Sequence, residues 1–184
     1  MTFGQRLLRP VLVVSALVLT ILLSMTGLTS ALDRALHNLQ DSVLSRPASG
    51  TVHIVELDAK SIAAYHQWPW PRGLHARAVD ALSRAEVGTI AFDVDFSAAA
   101  HPEEDAAFAR ALANTKATVI LPTFRQIAGG TSKTMVESLP APAFRSHAFL
   151  GSVNVHPDPD GIMRRYSTGT ITDGVARPSL AAVL

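Results

Sequence analysis

Asp58, Asp93 and Asp95 are the carboxylates whose placement could do chemistry. Asp58 follows the β-branched run at residues 51–57. Asp93 and Asp95 follow the run at residues 88–92 and, two apart in extended chain, share a face. Ligands of parallel α/β sheets bind at the carboxyl ends of strands. Three carboxylates converging there could hold a divalent cation through hard oxygen ligands, or accept hydrogen bonds from a cationic or polyhydroxyl signal. The structural alternative is that Asp58 caps a helix while Asp93 and Asp95 pair with Arg72 or bond loop amides. Between them lies Trp68-Pro69-Trp70-Pro71-Arg72. Trp68 and Trp70 could wall a ligand and Arg72 anchor an anion bidentately; alternatively the tryptophans cover the core edge and Arg72 neutralises the aspartates.

Other chemistries lack their residues. The chain has no cysteine, which removes thiol catalysis and disulfides. The 7 histidines follow no zinc-binding spacing, and neither a Gly-x-Ser-x-Gly elbow nor a phosphate-cradling glycine loop is present. His156-Pro157-Asp158-Pro159-Asp160-Gly161 echoes the start of a calcium loop but lacks its remaining ligands, and reads as a rigid turn. The sequence therefore assigns no catalytic residue, no metal site and no cofactor. With 16 Lys and Arg against 15 Asp and Glu, no basic field exists to attract nucleic acid.

The elements that must position these residues alternate. Residues 51–57 read as a strand, Asp58 opens a short helix to Tyr65, and the two prolines force residues 67–72 to run extended. Leu74, Ala78, Ala81, Leu82 and Ala85 repeat at helical spacing. Residues 88–93 read as a buried strand, Pro102 with Glu103, Glu104 and Asp105 as a helix start, and residues 118–121 as a third strand. This order implies an α/β layer with a mostly parallel sheet flanked by helices. Residues 122–142 read as a surface excursion. Residues 149–155 read as a strand with the alternating tail 162–171 as its antiparallel partner, and Pro178-Ser179 as the opening of a last helix.

Residues 11–32 contain no charge, and a bilayer core needs about 20 apolar helical residues. With Arg6 and Arg9 ahead of the run, the positive-inside bias predicts a cytoplasmic N-terminus at residues 1–9, a transmembrane helix at 10–32 and everything later outside the cytoplasm. The run exceeds a signal peptide's apolar core of about 7–15 residues. Leu32, Leu36, Leu39 and Val43 extend the helical period as a stalk over residues 33–46, either packed on the domain's own core or forming a dimer seam. Residues 47–184 then form the globular domain, which stops in apolar residues as though a partner domain followed.

The strand end Val55-Glu56-Leu57-Asp58, the Trp-Pro-Trp-Pro-Arg loop, Ala91-Phe92-Asp93-Val94-Asp95-Phe96, the acidic helix start, and Asn154 followed by Asp158-Pro159-Asp160-Gly161-Ile162-Met163-Arg164-Arg165 stand in one order. Together they resemble the type-two CHASE domain, an extracellular sensory module associated with cyclases and histidine kinases, over about residues 33–184. The resemblance implies signal sensing by a non-enzymatic input domain, set in the inner membrane and joined to a cytoplasmic cyclase, phosphodiesterase or kinase. The expected partners are an unidentified small-molecule, ion or envelope-protein signal near Asp58, Trp68, Trp70, Arg72, Asp93 and Asp95, the membrane, and a second copy in a homodimer. The competing classes are a membrane-tethered metal-dependent hydrolase built on the same aspartates, and a non-catalytic envelope scaffold.

Overall fold

The computed structural model describes residues 3–25, 28–129, 134–158, 161–172 and 174–184, and its backbone groups into two units, Met1–Val55 and Glu56–Leu184. In the first unit the apolar run folds as α1 (Phe3–Met25) and the amphipathic stretch as α2 (Leu28–Leu44). α2 begins at Leu28, four residues before the expected boundary between span and stalk. Among the described residues no helix is long and apolar enough to cross a membrane, so the fold does not itself display the span expected over residues 10–32. Leu32, Leu36, Leu39 and Val43 all lie exposed along α2.

Residues 51–57 form no strand. Val52, Ile54 and Val55 are 69, 84 and 71% exposed. A run of β-branched residues becomes a strand only where a ladder partner and a half-buried face receive it, and among the described residues none does.

The second unit runs α3 (Ala59–Tyr65), α4 (Arg72–Arg84), β1 (Thr89–Ala91), α5 (Pro102–Asn114), β2 (Thr118–Ile127), β3 (Met135–Ser138), α6 (Pro142–Arg145), β4 (Phe149–Ser152), β5 (Gly169–Thr172), β6 (Val175–Pro178) and α7 (Leu180–Val183). β2 lies between β1 and β4, parallel to both, with Thr89 opposite Thr118 and Ile120 opposite Phe149. The parallel sheet expected from the strand and helix alternation is thus present. The excursion over 122–142 holds more order than expected: β2 continues to Ile127 and returns as β3, antiparallel, with Ile127 opposite Met135. Gly130, Thr131, Ser132 and Lys133 fall outside the described residues.

The C-terminal antiparallel hairpin exists but joins different strands. β5 pairs β6, and residues 162–168 do not return along β4 as expected. The turn at Asp158 does form, with Gly161 donating to the Asp158 carbonyl at 2.8 Å. Arg164 then binds back to the Asp158 carboxylate at 3.1 Å instead of running beside β4. Ser179 caps α7 by accepting from Ala182, which matches the expected last helix.

The core sits where α4 and α5 pack together and with the parallel strands. Val79 of α4, Phe108 and Leu112 of α5, Val119 and Leu121 of β2, and Phe144 of α6 are buried together with Phe96 from the loop after β1. The Phe96 and Phe108 rings stack at 4.7 Å, and Phe144 meets Phe108 edge-on at 5.0 Å. Such pairs add about 0.5–1.5 kcal/mol each beyond the area they bury.

Candidate functional site

Arg72 opens α4 straight into this core. Its backbone follows Pro71, which offers no side-chain cap, and its side chain is 7% exposed in the residue as a whole. The guanidinium donates through Nη1 to the Asp95 carbonyl at 3.3 Å and through Nη2 to the Ala98 carbonyl at 3.1 Å. It lies 4.6 Å from the Phe96 ring centre, a cation–π position. Its carboxylate partner is Asp105 of α5, 3.8 Å from Nε. Burial pulls the Arg72 pKa down from the usual range, against the raising effect of Asp105 and then Asp95. One residue on, the Gly73 N–H donates to the Glu104 carboxylate, so the first turn of α5 supplies the acceptor that the first turn of α4 lacks. A Cβ at Gly73 would stand 2.7 Å from Glu104 Oε2, so a larger residue there would push the Glu104 carboxylate aside. Arg72 and Gly73 on one side, Glu104 and Asp105 on the other, clamp α4 to α5 and hold the loop after β1.

His75, one turn into α4, is 4% exposed. Its ring touches Trp70, Phe92, Phe96 and Phe108 at centroid distances of 6.1, 6.2, 5.2 and 6.2 Å. Burial, and then the charge of Arg72, lower its pKa to about 4, so it is neutral at pH 7.

The aspartates have separate tasks. Asp58 is exposed and caps α3, its Oδ1 accepting from Ser61 N at 2.8 Å and Ser61 Oγ at 2.6 Å. Those two bonds hold its pKa below the ordinary value. Asp95 Oδ1 accepts from Ser97 N at 2.8 Å, closing a turn, and Asp93 is exposed. Among the described residues no three His, Asp or Glu side chains group so as to hold a metal ion. Of the two readings open for Asp58, Asp93 and Asp95, the capping one describes Asp58, which binds the first turn of α3, while Asp95 bonds a loop amide; residues 51–57, which were to bring Asp58 to a sheet end, form no strand.

The tryptophans divide as well. Trp68 is 57% exposed. Trp70 is half-buried and meets Tyr65 of α3 edge to face at 5.2 Å. Outside this pair the surface is concave. One cleft of about 330 Å³ is lined by Tyr65, Gln67, Pro71, Gly73, Leu74, Arg77 and Glu104, and an adjoining one of about 360 Å³ by Tyr65, Trp70, Leu74, Arg77, Asp80 and Arg84 with small alanines. The structure thus brings Trp70 to a concave face of α4 and sends Arg72 inward.

A family model described as the CHASE2 domain matches residues 13–184. The chain belongs to the CHASE2 family. No curated protein and no solved structure matches it. CHASE2 domains are sensory domains of signalling receptors, of an extracellular type, and not catalytic ones. The match begins inside α1, so the CHASE2 region reaches further toward the N-terminus than the motifs from residue 33 onward indicated. Within this CHASE2 domain the residues that sequence reasoning missed are Asp105 and Glu104, read only as a helix start, and His75, Tyr65, Arg77 and Arg84. Arg77 and Arg84 stand seven apart on the helix that also carries Leu74 and Ala81, a spacing that marks one face.

Proposed function

We propose that this chain is the extracytoplasmic input domain of a membrane-anchored receptor, which passes ligand occupancy to a cytoplasmic cyclase, phosphodiesterase or kinase. The observation that carries the reading is the CHASE2 match, running from within α1 to Leu184. The anchor in this reading is the uncharged run over residues 11–32, most of which lies in α1. Its hydroxyls donate to its own carbonyls, Ser15 to Leu12 at 3.0 Å, Thr20 to Ala16 at 2.9 Å and Ser24 to Ile21 at 2.7 Å, as hydroxyls in a lipid-facing helix must. Val11, Leu12, Val13, Val14, Leu17 and Leu19 are exposed along it. The division into cytoplasmic residues 1–9, anchor, stalk and domain belongs to the same proposal, as does a homodimer seam on α2. The signal in this reading is a small molecule met near Trp70, on the outer face of α4. Asp93 is exposed in the loop after β1, and its part in signalling belongs to the same proposal.

The test is topological. A phosphatase that folds only outside the cytoplasm, fused after Leu184, should be active in cells, and a reporter that fluoresces only in the cytoplasm should be dark at the same junction. The opposite pattern removes the extracytoplasmic reading.

A further inference from the structure

Taking the sensory reading as its basis, we propose that the outer face of α4 binds a small aromatic carboxylate. The face has an aromatic edge, an apolar floor and cationic groups. Tyr65 and Trp70 form the edge, and Leu74 and Ala81 the floor. Arg77 and Arg84 are exposed, and among the described residues neither takes part in a hydrogen bond or ion pair. The cleft beside Trp70 is lined by two guanidinium groups, Arg77 and Arg84, and by one carboxylate, Asp80, so its lining carries a surplus of one positive charge; Glu104 lines the adjoining cleft and accepts from the Gly73 N–H. A guanidinium recognises a carboxylate bidentately, and a ring gains about 0.5–1.5 kcal/mol from offset or edge contact with another ring.

The same face offers a reason for occupancy to be felt. The Trp70 Nε1–H is covered and has no acceptor among the described residues. A buried unmet donor is costly, so a state of the loop at residues 67–71 in which that N–H reached a ligand oxygen would be favoured on binding. Ligand affinity that differs between two loop states is what shifts their populations.

Trp68→Phe leaves Trp70 as the single indole of the chain, since the sequence holds 2 tryptophans. Its emission is titrated in the full purified chain with phenylacetate, phenylalanine, phenethylamine and acetate. Saturable change with phenylacetate and phenylalanine is expected; whichever binds tighter tells whether the natural source is a simple acid or an amino acid whose ammonium meets Asp80. Arg77→Gln, at an exposed and unpaired position, should weaken both by roughly tenfold, the step worth about 1.4 kcal/mol. Equal binding of phenethylamine, a response to acetate alone, no saturation, or an unchanged Arg77→Gln titration overturns the proposal. Binding is read on purified protein and placement by the reporter fusions, so the ligand assignment and the receptor reading fail separately.

Discussion

At the scale of single residues, the unusual group is a neutral histidine beside a buried arginine. Arg72 keeps its charge because two carbonyls, Asp105 and the Phe96 ring share it. His75 has ring neighbours and Arg72 for company, and its pKa falls to about 4. The unfolded chain protonates this imidazole at its ordinary pKa of about 6.5, so between those values the unfolded state binds more protons than the folded one. Stability is then fully present above pH 6.5 and declines as pH falls toward 4, by up to about 3 kcal/mol from this group. Thermal melts of the full chain at pH 7 and pH 5 should show the loss. His75→Phe should flatten that part of the profile, whatever it does to stability at pH 7; a profile unchanged by the substitution would assign the acid sensitivity elsewhere.

Among elements, the α4–α5 pair is fastened at its two N-termini, and the fastening predicts a sign reversal. Gly73→Ala should gain the helix preference of alanine, about 1 kcal/mol, and lose the Glu104 acceptor that its Cβ displaces, leaving stability nearly unchanged or slightly lower. With Glu104→Ala already in place there is nothing to displace, and the same substitution should stabilise by about 0.5–1 kcal/mol. Denaturant melts of the four variants give the coupling directly, and additivity would sink the clamp. This is also where the sequence was half legible. Pro102 with three acids announced the start of α5, and the helical period announced α4, because those signals are local. That Glu104 and Asp105 serve α4 rather than α5 alone depends on how two helices pack, and no spacing along the chain encodes it. The run at residues 51–57 failed for the same reason: Val52, Ile54 and Val55 have strand chemistry, but pairing is a property of two segments. Asp58 was legible in its capping role, because that role is set by a helix start close by in sequence. Trp70 is half-buried against Tyr65 and also lines a cleft, so both of its sequence readings stay open, whereas Arg77 and Arg84 carry no motif that would have singled them out.

For the molecule as a whole, the proposed receptor must convert occupancy into something its neighbours can read, and the seam proposed on α2 would be the means. Leu32, Leu36, Leu39 and Val43 are 59, 65, 61 and 74% exposed, and their 4-3-4 spacing is that of a two-stranded seam, with Leu32 and Leu39 at one kind of position and Leu36 and Val43 at the other. A second copy presenting the same stripe would cover it, and positions flanking the seam, Asp33, Ala35, Gln40 and Ser42, bring few like charges together. Two heptads are too short to hold helices together strongly by themselves, which suits a joint that must change state. The full chain in detergent should therefore sediment as a dimer, and Leu36→Asp with Leu39→Asp should shift it to monomer. The Trp70 emission should stay as it was, because Trp70 belongs to the other unit. A monomeric parent chain would remove the seam, and a dimer that survives both aspartates would place the contact on another surface.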